Sequence, residues 1–85
     1  MPEISRFYGL AIFINYLDHN PPHFHAWYAE YKITVTIREG IVEGKMPKRA
    51  LKMIFEWLEI HRDELMEDWD RASRSEEMLK IEPLN

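Results

Sequence analysis

The chain has 85 residues, 46% of them hydrophobic, with no cysteine and a net charge of −4. A chain of this length forms one domain that buries only about two-thirds of its unfolded surface, and its composition excludes a disulfide framework, a thiolate metal site and a membrane span, which needs about 20 apolar residues in a row. The acidic excess lies in residues 51–85, with five Lys/Arg against ten Asp/Glu, and an acidic total is the wrong balance for a generic duplex-DNA binder.

Phe7 to Leu17 is rich in aromatic and β-branched residues and reads as one strand, apolar on both faces, with Gly9 at a bend or a close approach. Pro21 and Pro22 then enforce a turn, and each pushes the residue before it toward extended backbone. His23 to Tyr28 reads as a second strand. In Tyr31 to Arg38 the residues Tyr31, Ile33, Val35 and Ile37 fall on one face and Lys32, Thr34, Thr36 and Arg38 on the other, the alternation of a strand. Ala29-Glu30 and Glu39-Gly40 are hairpin turns, and Ile41 to Glu43 makes a short fourth strand.

Pro47 opens a helix, a position proline favours. Leu51, Ile54 or Phe55, Leu58, His61 or Arg62, Leu65, Trp69 and Ala72 recur at spacings of three or four, which is an amphipathic stripe, with Trp57 beside it. Glu56, Glu59, Asp63, Glu64, Glu67, Asp68 and Asp70 read as the solvated face, and His61 as a partly buried structural histidine. The expected fold is therefore α+β: an antiparallel sheet of about four strands over residues 7–43, packed against one long C-terminal helix over about 47–74, either continuous or broken near His61, with an extended tail at 75–85.

The stretch Asp18-His19-Asn20-Pro21-Pro22-His23-Phe24-His25 holds three of the four histidines. His23 and His25 are two apart on a strand, so both leave one face while Phe24 points the other way. His19 and Asp18 sit on the other arm of the turn. Three readings follow. In one, His23, His25, His19 and Asp18 hold a divalent metal with an open position for water. In another, His23 and His25 are catalytic acid and base, assisted by His19, with no metal. In the third, the histidines hydrogen-bond the turn and hold it.

Lys45, Lys48, Arg49 and Lys52 share one face at the helix start, where the helix dipole already favours anions. They form a candidate anion-binding patch, or else pair with Glu43 and Glu56. Beside the histidines, such a patch would suit RNA, with Tyr8, Tyr16, Trp27, Tyr28 and Tyr31 available for stacking. The aromatic content also favours a homodimer or a protein partner.

Met1-Pro2-Glu3-Ile4-Ser5-Arg6-Phe7-Tyr8-Gly9, the Asp18–His25 octapeptide, Gly44-Lys45-Met46-Pro47-Lys48-Arg49-Ala50-Leu51, Glu56-Trp57-Leu58 and Trp69 together resemble the small bacterial proteins called domain of unknown function 4160. That family resembles components of toxin–antitoxin-like gene pairs, commonly encoded beside a protein of the domain of unknown function 2442 type. The resemblance implies a protein partner and raises a toxin-like or nucleic-acid role, here read as action on RNA, and the absence of cysteine fits the reducing cytoplasm. The alternatives are a non-catalytic module that binds its neighbour-encoded partner, and a small divalent-metal protein.

Overall fold

Five short strands form one antiparallel sheet in simple chain order: β1 (Glu3–Phe7), β2 (Leu10–Phe13), β3 (His23–Tyr28), β4 (Tyr31–Thr36) and β5 (Val42–Gly44). The helix α1 (Lys48–Ser73) follows. The computed structural model describes residues 2–85.

The sheet has one strand more than the sequence pattern predicts. The expected strand from Phe7 to Leu17 is interrupted after Phe7, because Tyr8 and Gly9 take positive φ values of 49° and 81°. Two left-handed residues in succession make the tight hairpin turn whose twist matches paired strands, so Phe7 faces Leu10 and the chain folds back on Glu3–Phe7. Glycine tolerates that conformation freely. β3 and β4 are joined by another two-residue turn at Ala29-Glu30, in which Ala29 takes a positive φ of 53° and Tyr28 stands opposite Tyr31.

One sheet face is apolar throughout. Leu10, Ile12, Ile14, Phe24, Ala26, Ile33, Val35 and Ile37 are buried there in one cluster with Ile54, Trp57, Leu58, Leu65 and Trp69 of α1. The helix presents Ile54 inward and leaves Phe55 exposed. Trp57 is fully buried rather than beside the stripe, with its ring centroid 5.4 Å from that of Phe7 and 5.9 Å from that of Phe24. The helix loses helical geometry at His61 (φ −116°, ψ 20°), so of the two expectations the broken one holds. There the ring packs on Trp57 and bonds the Glu64 carboxylate, and the Arg62 guanidinium donates to the Ile37 carbonyl.

After the helix the chain runs back across the sheet edge. The Ile81 N–H donates to the Ile4 carbonyl, and the Trp57 indole N–H donates to the Glu82 carbonyl. Asp68 corrects the expectation of a solvated acidic face, since it is 1% exposed. It stands seven residues after His61 and four before Ala72, on the buried stripe. One of its oxygens accepts the Leu79 N–H at 2.9 Å and so holds the tail, while the other has no partner. Burial pushes its pKa above the ordinary carboxylate value. The Leu79 N–H and Arg71 oppose that shift, and Glu67 and Glu64 add to it.

Two outcomes are expected. Trp57→Ala removes the largest buried side chain and lowers stability by about 3–5 kcal/mol in urea denaturation. For Asp68, the folded chain holds a proton more tightly than the unfolded one, so wild-type stability is full below the unfolded pKa of about 4 and declines as pH rises through the raised folded value. Asp68→Asn lacks that decline. The stability of the variant relative to wild type therefore rises between pH 3.5 and 7, and urea midpoints that keep a constant gap would refute the assignment.

Candidate functional site

The second face of the sheet carries no helix. Alternation puts His23, His25 and Trp27 of β3 on it, with Thr34 and Thr36 of β4 and Glu43 of β5 beside them. The Phe13 ring packs on Trp27 at 4.9 Å, and the Lys32 ammonium lies 4.3 Å over that indole.

Between β2 and β3 the chain makes a loop over the end of this face. It is fixed at both ends: the Leu17 N–H donates to the Ala72 carbonyl of α1, and the Pro22 carbonyl accepts the Ile37 N–H. Leu17 takes a positive φ of 55° although it is neither glycine nor asparagine, and its side chain is exposed. That bend turns the next residue, Asp18, back over the strand. The Asn20–Pro21 peptide is cis.

Asp18 Oδ2 then lies 3.1 Å from His23 Nε2 and 3.5 Å from His25 Nε2. These three side chains are the group of His and carboxylate residues whose ligand atoms all fall within 4.8 Å of one another among the described residues. His23 is 7% exposed, with its ring 5.3 Å from that of His25 and 5.2 Å from that of Trp69. His19 takes a different position. Its ring stays in solvent, its Nδ1 lies 3.0 Å from the other Asp18 oxygen, and its backbone N–H donates to that oxygen.

The proton positions follow from the partners. The Pro21 carbonyl only accepts, so His23 donates Nδ1–H to it at 2.8 Å. The Asn15 amide nitrogen lies 3.2 Å from His25 Nε2, so that ring atom has both the amide and the Asp18 carboxylate beside it. In the neutral Nδ1–H form, His23 Nε2 presents its lone pair toward the carboxylate oxygen. Burial pushes the Asp18 carboxyl up, but the His19 N–H, the His25 ring and the neighbouring His23 and His19 rings outweigh it and hold the pKa below the ordinary carboxylate value. The group is anionic at neutral pH. An acceptor facing an acceptor across 3.1 Å needs a positive species between them, either a proton on the His23 ring or a cation.

The cluster forms one wall of a cavity of about 480 Å³ whose lining also includes Asn15, Thr34, Thr36, Ile41 and Glu43. A shallower depression of about 530 Å³ shares His25, Thr34 and Glu43 and runs on to Trp27 and Lys32. Asn15, Thr34, Thr36 and Glu43 were not singled out by the sequence pattern. Thr34, Thr36 and Glu43 could have been found from strand pairing, since each sits on the histidine side of its strand.

The structure does not bring Lys45, Lys48, Arg49 and Lys52 to the histidines. All four are exposed, and none lines the cavity. β5 leaves Glu43 opposite Thr34 and Gly44 opposite Ile33, so the chain reaches the helix start at the end of the sheet away from His23. It is the helix's far end, at Trp69 and Ala72, that meets the histidine loop. The 22 residues from Lys48 to Trp69 correspond to about 30 Å of helix. Among the described residues, no ion pair joins these cations to Glu43 or Glu56.

The fold and cluster together define a small α+β protein with one covered sheet face and one face that bears two imidazoles and a carboxylate. The chain belongs to the family described as Domain of unknown function (DUF4160), whose model matches residues 9–70, from the first hairpin turn to the end of the buried helix stripe. No curated protein and no solved structure matches the chain. No helix among the described residues is long and apolar enough to cross a membrane.

The tautomer assignment is directly measurable. Long-range ¹H–¹⁵N NMR of the neutral rings is expected to show His23 as the Nδ1–H form, and an Nε2–H signal for His23 would overturn the lone-pair geometry.

Proposed function

We propose that this is a divalent transition-metal protein in which Asp18, His23 and His25 are the ligands. The observation that carries the reading is the spacing of Asp18 Oδ2 from the two Nε2 atoms, 3.1 and 3.5 Å. Ligand atoms about 2.1 Å from a zinc-like ion lie roughly 3.0–3.4 Å apart in tetrahedral or octahedral geometry. Two imidazoles and one carboxylate suit zinc, iron, nickel or manganese, and three protein ligands leave coordination positions open toward the cavity. The His23 Nδ1–H bond to Pro21 is the outer contact that orients a ligating ring.

Protons satisfy the same contacts less well. His23 keeps its Nδ1–H on Pro21, so a proton at its Nε2 would make the ring an imidazolium in a buried position. A single ion meets all three atoms at once. His19 is the spare donor, held in solvent beside Asp18. The metal-free reading, with His23 and His25 as acid and base on RNA in a toxin-like protein, draws support from the same cluster. It finds no phosphate grip in the cavity, since the basic helix start lies elsewhere.

Untagged protein incubated with zinc and desalted is expected to retain one ion per chain. Excess metal should raise stability by about 2.7 kcal/mol at a hundredfold over Kd. His25→Ala and Asp18→Ala, both at incompletely buried positions, should each weaken binding by more than the 10–100-fold that loss of an outer contact costs. No retained zinc, iron, nickel or manganese, with no uptake on titration, would sink the metal reading and leave the acid–base one.

A further inference from the structure

We propose that this centre is hydrolytic, that Glu43 is its general base, and that its substrate class is a neutral carbonyl compound, an ester or amide. The inference rests on the metal reading above and names what that site does.

Glu43 is placed by strand pairing. His25 is opposite Thr34, and Thr34 is opposite Glu43. The three side chains stand in one row on the open face, with the His25 and Glu43 backbones two strand spacings apart, roughly 10 Å. Both side chains reach into the same cavity and share the adjoining depression. That separation leaves room between them for a water and one small substrate group. Glu43 is exposed on a three-residue edge strand, and among the described residues no cation lies within ion-pair distance of it. It holds no fold contact that explains a carboxylate at this place, and it faces the open side of the ligand cluster.

The charge of the cavity selects the substrate. Apart from the histidines, the charged groups that line it among the described residues are Asp18 and Glu43. A divalent ion brings the sum to zero. No Lys or Arg lines the cavity, and Lys32 in the neighbouring depression is seated over Trp27. A phosphodiester would place its negative charge before Glu43 with no cationic side chain to receive it, whereas a carbonyl brings no charge until it is attacked. Neutral donors are present for it. Thr36 Oγ1 accepts the Ile41 N–H at 2.8 Å, which leaves its own hydroxyl proton to give to a ligand oxygen.

The step balances with water alone. Glu43 takes one proton from a water held at an open position of the ion. The water oxygen bonds to the carbonyl carbon as the C=O pair moves onto oxygen. The oxygen pair then returns to re-form C=O as the bond from carbon to the leaving oxygen or nitrogen breaks, its electrons going to the leaving group, to which Glu43 returns its proton. The products are a carboxylic acid and an alcohol or amine.

The test uses the full chain loaded with one equivalent of zinc, with p-nitrophenyl acetate and bis(p-nitrophenyl) phosphate as probes. Zinc content is measured first, and a chain that holds no zinc fails the metal reading before any substrate is added. With zinc bound, wild type is expected to hydrolyse the ester above the free-zinc rate. Glu43→Gln should retain its zinc and lose about 100-fold or more in kcat/KM. Glu39→Gln, exposed and outside the cavity, should match wild type. A zinc-loaded wild type inert toward the ester, a Glu43→Gln variant within twofold of wild type, or turnover of the phosphodiester alone would each overturn the proposal while leaving the metal site standing.

Discussion

The Phe24 ring lies against the Trp57 indole with no access to solvent, and the arrangement of the site depends on that contact. Side chains alternate along β3, so burying Phe24 under the helix commits His23 and His25 to the other face. A one-residue slip would send both imidazoles into an apolar core and put Phe24 in water. The loss of buried apolar surface and the burial of two polar rings oppose that slip together. The core thus sets the direction of the histidines and reaches the site at Trp69, beside the His23 ring.

Direction alone does not make a site. The third member, Asp18, comes from outside the sheet, on a loop tied to the end of α1 through Leu17 and to the end of β4 through Pro22. The exposed Leu17 holds a left-handed backbone that leucine disfavours. Such a conformation persists where the surroundings over-determine it, and its effect here is to turn the following carboxylate over the two rings. The helix therefore acts at both ends of its length. Its middle buries Phe24, and its last turn anchors the loop that carries Asp18.

The two charged regions of the chain are kept apart. The basic residues gather where the helix begins, and the histidine cluster lies where it ends. The cavity itself carries two carboxylates, Asp18 and Glu43, with the Thr34 and Thr36 hydroxyls on the strand between β3 and β5. Without a cationic side chain among its described lining residues, its field favours a cation. The basic end is a separate surface, with its own free backbone N–H groups at the start of α1.

Much of this was legible from local pattern. The period-two alternation at Tyr31–Ile37 and the period near 3.6 from Leu51 to Ala72 follow from which residues lose by facing water, whereas the length of the helix alone leaves it open whether it continues through His61. The pairing of His23 with His25 follows from the strand period alone. The first hairpin was missed because Phe7–Leu17 is apolar on both faces, and only paired strands show that Tyr8-Gly9 is a turn. Asp68 was misplaced because its charge outweighed its position on the stripe, and what makes burial tolerable there is the Leu79 N–H, eleven residues away. Asp18 was a candidate by sequence, but its approach to the histidines, the cavity and the place of Glu43 required tertiary structure. These depend on loop closure and strand order, which join residues whose spacing in the chain carries no periodic signal. Sequence by itself determined which residues face the core and which chemistry is available on the other side. The fold decided which of those groups meet, because only packing sets distances between elements.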